Sequence, residues 1–500
     1  RYAADELSRF GLSQMVKAYR GGYLPEDRRQ IEEDLFTGKL LGVTSTSALE
    51  LGIDVGGLDA CLIVGYPGSV ASTWQQAGRA GRGKDDSLVI LIANSDPIDQ
   101  FIAQHPDYFF EQSPESAVID PDNPYILLSE LRAMAYELPL RKDEVINISE
   151  NAPAVTQILT ESGELSPRRN QFFWIGRGYP PQDINLRNIS ENTYSIVERV
   201  DNKTAAIGSI DELSAFTQLH EEAVYMHNAD TYLVRELDLE GKIAYVERAD
   251  VNYFTQSITE RRVLIKEERL NRNYQEARLA FGELDVTFIT YMFRKIKFYT
   301  KDSFGFGSIK LPPSTLETCG IWLEPPPKVV GDVIKYGKDP REGLLGIGNV
   351  LSSLMPLYIL SDPGDVGSAV DSANTGKTVL FLFDRFPGGI GITEKAFPLI
   401  EELLIKALEL IKACNCERGC PSCVGAPRTR EDLLDPDSSP RGKLPDKDTA
   451  LIILHSLLGL EEYIPQSVEE EEIVWQVKPL PENTENRLRQ MIGKIKEKGR

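Results

Sequence analysis

Eight residues in a row, Gln75-Gln76-Ala77-Gly78-Arg79-Ala80-Gly81-Arg82, carry the most specific chemistry in the chain. Two arginines three positions apart fall on one helical face. Glycines beside them let the backbone come close to phosphate. A guanidinium is permanently charged and forked, so it suits the charge that gathers on a transferring γ-phosphoryl group. On its own such a basic face is usually plain surface; its neighbourhood decides otherwise.

That neighbourhood begins at Thr46-Ser47-Ala48-Leu49-Glu50-Leu51-Gly52-Ile53-Asp54. The stretch follows a short apolar run, at the strand end where α/β sheets place ligands. Thr46 can donate to a phosphate of a nucleic-acid backbone, and Asp54 can accept from a ribose hydroxyl. Arg20-Gly21-Gly22-Tyr23 follows another expected strand and offers one charge and a bare backbone.

A second centre is metallic. Cys414, Cys416, Cys420 and Cys423 stand in the pattern C-x-C-x3-C-x2-C, while Cys61 and Cys319 are isolated and read as core residues. Four thiolates so close can wrap one tetrahedral Zn²⁺ with no open position, the structural kind of site. Disulfides across such short loops would be strained. An iron–sulfur cluster also takes four thiolates and stays open as an alternative.

Other candidates are weaker. Asn374-Thr375-Gly376-Lys377-Thr378 ends like a phosphate-binding loop, but Asp371 stands where its first glycine belongs and the segment leads into a strand, so it reads as a polar turn. No acidic DEAH-like box is present. Asp362, Asp365 and Asp384 near Gly388-Gly389 invite a metal-nuclease reading, although carboxylates beside turns more simply bond backbone. The four histidines, His105, His220, His227 and His455, are scattered.

Several elements must position these groups. Over the first hundred residues helices alternate with short apolar runs at Leu41–Val43, Cys61–Val64 and Leu88–Ala93, the pattern of buried parallel strands in a doubly wound α/β sheet. Residues 101–180 carry two expected helices, Leu127–Leu140 and Ala154–Leu159, then a basic-aromatic segment at Arg168, Arg169, Phe172, Phe173 and Trp174. That suggests a winged helix, or else an ordinary helical linker. Period-two alternation dominates 181–327 and predicts a small barrel or curled sheet, ending at Pro325-Pro326-Pro327. Residues 328–465 mix helix and strand around the cysteines, with Leu399–Ala413 a strong helix. Residues 466–500 read as an acidic linker and a basic tail helix. The fold class is therefore α/β multidomain: a parallel-sheet lobe, then winged-helix-like, β-rich and metal-binding α+β parts.

Composition sets outer limits. At 500 residues and 41% hydrophobic content, several cores are expected. No apolar run approaches the roughly 20 residues of a membrane span, and no secretory segment opens the chain. A soluble, cytoplasmic, nucleoid-associated monomer is expected. A net charge of −21 does not exclude a nucleic-acid partner, since phosphate contacts need only a local basic lining.

In order and spacing, the quoted stretches resemble motifs IVa, V and VI of superfamily 2 helicases, and the opening Arg1 to Leu7 resembles the end of motif IV. The rest of the chain, through Asp120–Leu128, Leu380–Gly391 and the cysteine cluster, resembles the MrfA (YprA-like) helicases, a DEAD/DEAH-type family with a zinc-binding C-terminal domain. The resemblance covers essentially all of the chain and leaves the first RecA-like lobe, which would be its partner, unmatched. It implies ATP with Mg²⁺ and Zn²⁺ as cofactors and DNA, single-stranded or tailed, as the track. It places Arg79 and Arg82 at the γ-phosphate, with Arg82 the finger. Gln75 contacts nucleotide, with Gly52 and Asp54 near the ribose or the coupling interface. Thr46, Arg20 and Gly21 hold the tracked strand. Movement 3′ to 5′ and a role in repair are likewise implied by resemblance alone. An RNA motor and a scaffold without turnover are the rival readings, and without a phosphate loop or acidic box the chain by itself should not turn over ATP.

Overall fold

The computed structural model describes residues 6–19, 25–50, 58–81, 86–111, 115, 117–184, 193–200, 203–227, 230–300, 302–362, 364–370, 372–425 and 445–465. Near the start, two parallel strand pairs form. Val16–Tyr19 pairs with Gly42–Ser45, and Ala60–Val64 pairs with Leu88–Ile92. Parallel neighbours need a crossover, supplied by the helices Pro25–Phe36 and Val70–Ala77. The first helix opens on Pro25 with Glu26 and Asp27 in its first turn, favourable at the positive end of the helix dipole. A small core of Tyr19, Ile31 and Leu40 closes this side.

The apolar runs expected to be buried on both faces are covered on one. Ile63 is buried, whereas Leu62, Val64, Ile90 and Ile92 are exposed. Among the described residues the strands form two pairs rather than one continuous sheet.

Residues 124–174 fold as three helices, Pro124–Glu137, Lys142–Ile148 and Ala152–Glu161, against a three-stranded antiparallel sheet. The first helix is started by Asn123, whose side chain accepts from the backbone N–H of Tyr125 and Ile126 at 2.9 and 3.1 Å. It ends at Glu137, short of the expected Leu140, because Leu138 is already extended and Pro139 cannot continue it. Leu127, Leu131, Leu159 and Leu165 make the core. The basic-aromatic segment is the strand Gln171–Trp174, paired with Leu165–Arg168.

In place of a barrel, two open sheets follow. One has five strands, with Ile243–Arg248 central and Tyr194, Ile196, Val234 and Val246 facing its core. The other has six and is built on a long hairpin, Tyr253–Tyr274 against Ala277–Lys297. Ser314–Glu324 pairs with that hairpin, then Leu380–Asp384 and Val366–Val370. The division expected at 327 thus falls inside one sheet. Gly320 makes the junction possible: a Cβ there would stand 2.6 Å from the Leu382 carbonyl oxygen. Below the sheet pack the helices Pro340–Leu354, Ile400–Ala413 and Lys447–Leu457, sharing a core of Leu344, Ile347, Leu351, Leu404 and Leu454. No helix among the described residues is long and apolar enough to cross a membrane.

Candidate nucleotide-facing helix and metal centre

The helix Val70–Ala77 is held at both ends. At its start Ser69 accepts from Ser72 N–H at 3.0 Å, and the Val70 N–H donates to the Glu115 carboxylate at 2.8 Å. Tyr66 donates its hydroxyl to the same carboxylate at 3.0 Å, and burial pushes that hydroxyl well above the usual phenol range. At its end Gly78 donates to Trp74 at 2.8 Å, and the chain turns at Gly81, where φ is +77°. A Cβ at 81 would meet the Ser87 hydroxyl oxygen at 2.3 Å, so the turn requires glycine on both counts.

Gln76 donates to the Glu50 carboxylate at 3.1 Å, and Arg79 donates to the Glu50 backbone carbonyl. Glu50 belongs to the Thr46–Asp54 stretch, so one residue joins the two motifs through partners 26 and 29 positions further along the chain. Thr46 stands just after the strand Gly42–Ser45, exposed, in extended backbone ahead of a single 3₁₀ turn, Ser47–Leu49. Gln75 is exposed beside Gln76. The structure therefore brings Arg79 to the loop that holds Thr46 and leaves Gln75 accessible. Arg20, Gly21, Gly52, Asp54 and Arg82 lie outside the described residues. Glu50 and Gln76 escaped the sequence reading; their mutual contact is long-range, and only the presence of a carboxylate within the first motif hinted at it.

The four cysteines converge. The sulfurs of Cys414 and Cys420 are 3.5 Å apart, those of Cys416 and Cys423 3.4 Å, and those of Cys420 and Cys423 3.7 Å. All lie within 4.8 Å of one another, and they are the only such cluster of ligating groups among the described residues. Disulfide bonds are excluded by these distances. A tetrahedron with Zn–S of about 2.3 Å has an edge of about 3.8 Å, which the three shorter spacings given above approach. Several irons with bridging sulfides would spread the thiolates further.

The helix Ile400–Ala413 delivers Cys414 directly from its C-terminus. The short helix Pro421–Val424 carries the last ligand, and Gly419 turns at φ +121° against the Pro445 carbonyl. Burial raises the Cys423 thiol, so that sulfur favours its proton until a cation is present. Lys447, buried at the start of the helix Lys447–Leu457, donates its ammonium to the carbonyls of Cys414 and Cys416 at 2.6 and 2.8 Å. It was invisible in sequence because it lies 31 residues beyond Cys416.

The remaining candidates are structural. Asp384 is buried and accepts from the N–H groups of Ile390, Ile392 and Thr393 at 2.8, 3.2 and 2.9 Å. Asp365 accepts from the Asp362 N–H at 2.8 Å, so the carboxylates of Asp384 and Asp365 bond backbone, and the three aspartates form no metal-ligating cluster among the described residues. In the loop-like 374–378 segment, Asn374 donates to Ile265 and Lys377 pairs with Glu324 at 3.0 Å, which uses its polar groups internally.

Parallel strand pairs joined by crossover helices, an arginine-bearing helix end bonded to the loop after Gly42–Ser45, and a four-thiolate knuckle are the parts of a helicase C-terminal lobe joined to a zinc-binding domain. The chain belongs to the MrfA (YprA-like) family. The helicase conserved C-terminal domain matches residues 4–84, and the MrfA Zn-binding domain matches residues 347–424, which include all four cysteines. The chain is 43% identical over 413 residues to the uncharacterized ATP-dependent helicase YprA of Bacillus subtilis, covering 82% of this chain and 55% of that protein. It is 28% identical over 478 residues to the ATP-dependent helicase HRQ1 of Saccharomyces cerevisiae, covering 91% of this chain and 43% of that one. The crystal structure of the DUF1998 helicase MrfA bound to DNA superposes with a TM-score of 0.58 at 39% identity, covering 89% of this chain and 57% of that one. The complex of MrfA with DNA and AMPPNP gives 0.56 at 40% identity, covering 83% and 55%. The chain spans about half the length of the relatives it matches.

Proposed function

We propose that this chain supplies the second motor lobe and the zinc domain of an ATP-dependent DNA helicase that moves 3′ to 5′ and serves DNA repair. The observation that carries the reading is the Glu50 link. Its carboxylate holds Gln76 and its carbonyl holds Arg79, so the strand-tracking loop and the nucleotide-facing helix move together. A charge change at the nucleotide is thereby felt at Thr46, which is what a translocating motor needs. DNA as the track is supported by the DNA-bound state of the MrfA structures.

In this reading Arg82 is the finger, placed just past the Gly81 turn, and Arg79 is the residue that fixes the helix end. Gln75 meets the nucleotide, with Gly52 and Asp54 beside its ribose. Arg20, Gly21 and Thr46 hold strand phosphates. ATP and Mg²⁺ are gripped mainly by a first RecA-like lobe, since these 500 residues contain neither a phosphate loop nor an acidic box. The winged-helix-like unit at 101–180 and the β-rich region at 181–327 guide the nucleic acid, and the protein works as a monomer in the cytoplasm at the nucleoid. Zn²⁺ held by Cys414, Cys416, Cys420 and Cys423 ties the end of the helix Ile400–Ala413 to the knuckle and takes no part in hydrolysis.

Strand separation decides between the readings. The protein carrying both lobes should unwind a duplex with a 3′ single-stranded DNA tail in the presence of ATP, and leave 5′-tailed and RNA duplexes intact. Preference for RNA makes the motor an RNA helicase, and no unwinding of either duplex makes the chain a scaffold.

A further inference from the structure

The β-rich region contains a basic-aromatic segment that lies outside the motor motifs. Residues 291–310 contain six aromatics, Tyr291, Phe293, Phe298, Tyr299, Phe304 and Phe306. They also contain five basic residues and one acidic, in a chain whose net charge is −21. The strand Ser303–Ser308 pairs with the end of the long hairpin through Met292–Ile296, and among the described residues no strand pairs with its other edge. Its sequence alternates, Phe304-Gly305-Phe306-Gly307. The glycine side lies on Phe293, where a Cβ at 307 would come within 2.4 Å of the ring. The opposite side therefore carries both phenyl rings, and Phe304 and Phe306 are 51% and 50% exposed.

We infer that the strand Ser303–Ser308 is a stacking platform for the bases of single-stranded DNA. This rests on the reading of the protein as a DNA helicase. Phe304 and Phe306 are two residues apart along a strand, about 6.8 Å, roughly twice the 3.4 Å rise per stacked nucleotide. One base fits between or across the two rings. Every base offers a π-face, so such a site takes any sequence. Arg294 is the register partner of Phe306, and Lys297 and Lys310 are exposed on the same segment, so phosphates that follow a stacked base meet positive charge. Tyr253 stands edge-on to Phe304 with ring centroids 5.4 Å apart, which steadies the outer ring before any base arrives. A protein partner with an apolar patch would not explain the surrounding excess of cations.

The test uses the full chain, with Phe304→Ala and Phe306→Ala combined, and fluorescence anisotropy with an unstructured DNA oligonucleotide without nucleotide present. The double variant should lose roughly five- to hundredfold in affinity, the range for removing base-aromatic stacking. An oligonucleotide of the same length with abasic sites should bind the wild type more weakly and bind both proteins alike. Both residues are exposed, so the melting temperature should stay within about 2 °C of the wild type. Photo-crosslinking with 5-iododeoxyuridine should mark the 303–308 peptide. Equal affinity in the double variant, tighter binding of RNA than DNA, or crosslinks confined to other segments would each overturn the platform. The two readings fail separately: a protein that unwinds but binds the same after the double substitution keeps the motor and loses the platform. One that never unwinds but loses binding on substitution does the reverse.

Discussion

The ammonium of Lys447 donates to the carbonyl oxygen of Cys414 at 2.6 Å, from a helix that begins 33 residues later in the chain. It reaches Cys416 at 2.8 Å as well, so the first two metal ligands hang from one buried cation. A closed Zn(Cys)₄ site carries two negative charges. A cation this close orients the ligand backbones and offsets that charge. Lys447→Met should keep the fold of the helix Lys447–Leu457, whose N-cap is Asp446 bonded to Thr449 at 2.7 Å, while weakening zinc retention roughly 10- to 100-fold, the range for residues behind the ligands. Competition with a chromogenic chelator measures it. Unchanged retention in Lys447→Met would show that the contact is incidental.

Removal of the metal is the stronger perturbation. One zinc per chain is expected by elemental analysis. Cys420→Ser should abolish it and loosen the helix end at Ala413, since a structural zinc can contribute on the order of 10 kcal/mol of folding free energy. Hydrogen exchange should rise across 400–425 and stay unchanged across 60–92. Iron in place of zinc, or a full-strength helix end without metal, would contradict the assignment.

For Glu50 the expected phenotype is uncoupling. Glu50→Ala removes the carboxylate that holds Gln76 and keeps the carbonyl that holds Arg79. A hydrogen bond of about 1 kcal/mol corresponds to roughly fivefold. In the two-lobe protein, DNA stimulation of ATP turnover should fall by about that factor, with single-strand affinity within twofold of wild type. A loss in affinity without a loss in stimulation would place Glu50 on the DNA side alone.

Arg82→Ala should cost roughly 10³-fold or more in turnover in the same protein, the scale known for arginine fingers, with DNA binding retained. This chain alone should hydrolyse ATP at background level. Robust DNA-stimulated turnover by the isolated 500 residues would remove the need for a first lobe.

Stability should depend on pH through His220. The imidazole is buried against Phe293, with ring centroids 4.6 Å apart, and its Nδ1 lies 2.9 Å from the Glu221 carbonyl oxygen. Burial pulls its proton affinity below the ordinary value, against smaller opposing effects of the Glu221 carbonyl and the Glu222 carboxylate. The unfolded chain therefore binds the proton first as pH falls. The contribution of His220 is complete above about pH 6.5 and declines below it. Urea midpoints at pH 7.5 and 5.5 should drop more for the wild type than for His220→Phe.

Legibility in the sequence followed contact range. Thr46 was placed at a strand end because a short apolar run and the residues after it are neighbours in the chain. The cysteines were placed together because ten residues contain all four. Glu50 with Gln76 and Lys447 with Cys414 depend on packing between distant elements, which periodicity does not encode. Pro325-Pro326-Pro327 marks where the strand Ser314–Glu324 gives way to the helix Pro327–Lys335. What it could not show is that Leu380–Asp384 returns to pair with Ser314–Glu324, a register set by the bare backbone at Gly320. The runs near Leu62 and Ile90 read as buried for lack of any signal for how many layers would cover them.

The long hairpin has a mechanical meaning. Its two strands of 22 and 21 residues, in register from Tyr253–Lys297 to Tyr274–Ala277 with three bulges, reach about 70 Å at 3.4 Å per residue. Val263 and Val286 sit in one core, and Tyr274, Ala277 and Phe281 sit in another. Force applied along such a ladder loads its rungs in parallel, whereas force across its tip would open them one at a time. A pull directed along the hairpin axis is thus borne by many hydrogen bonds together, and the hairpin acts as a stiff spar that carries load between two separately packed cores.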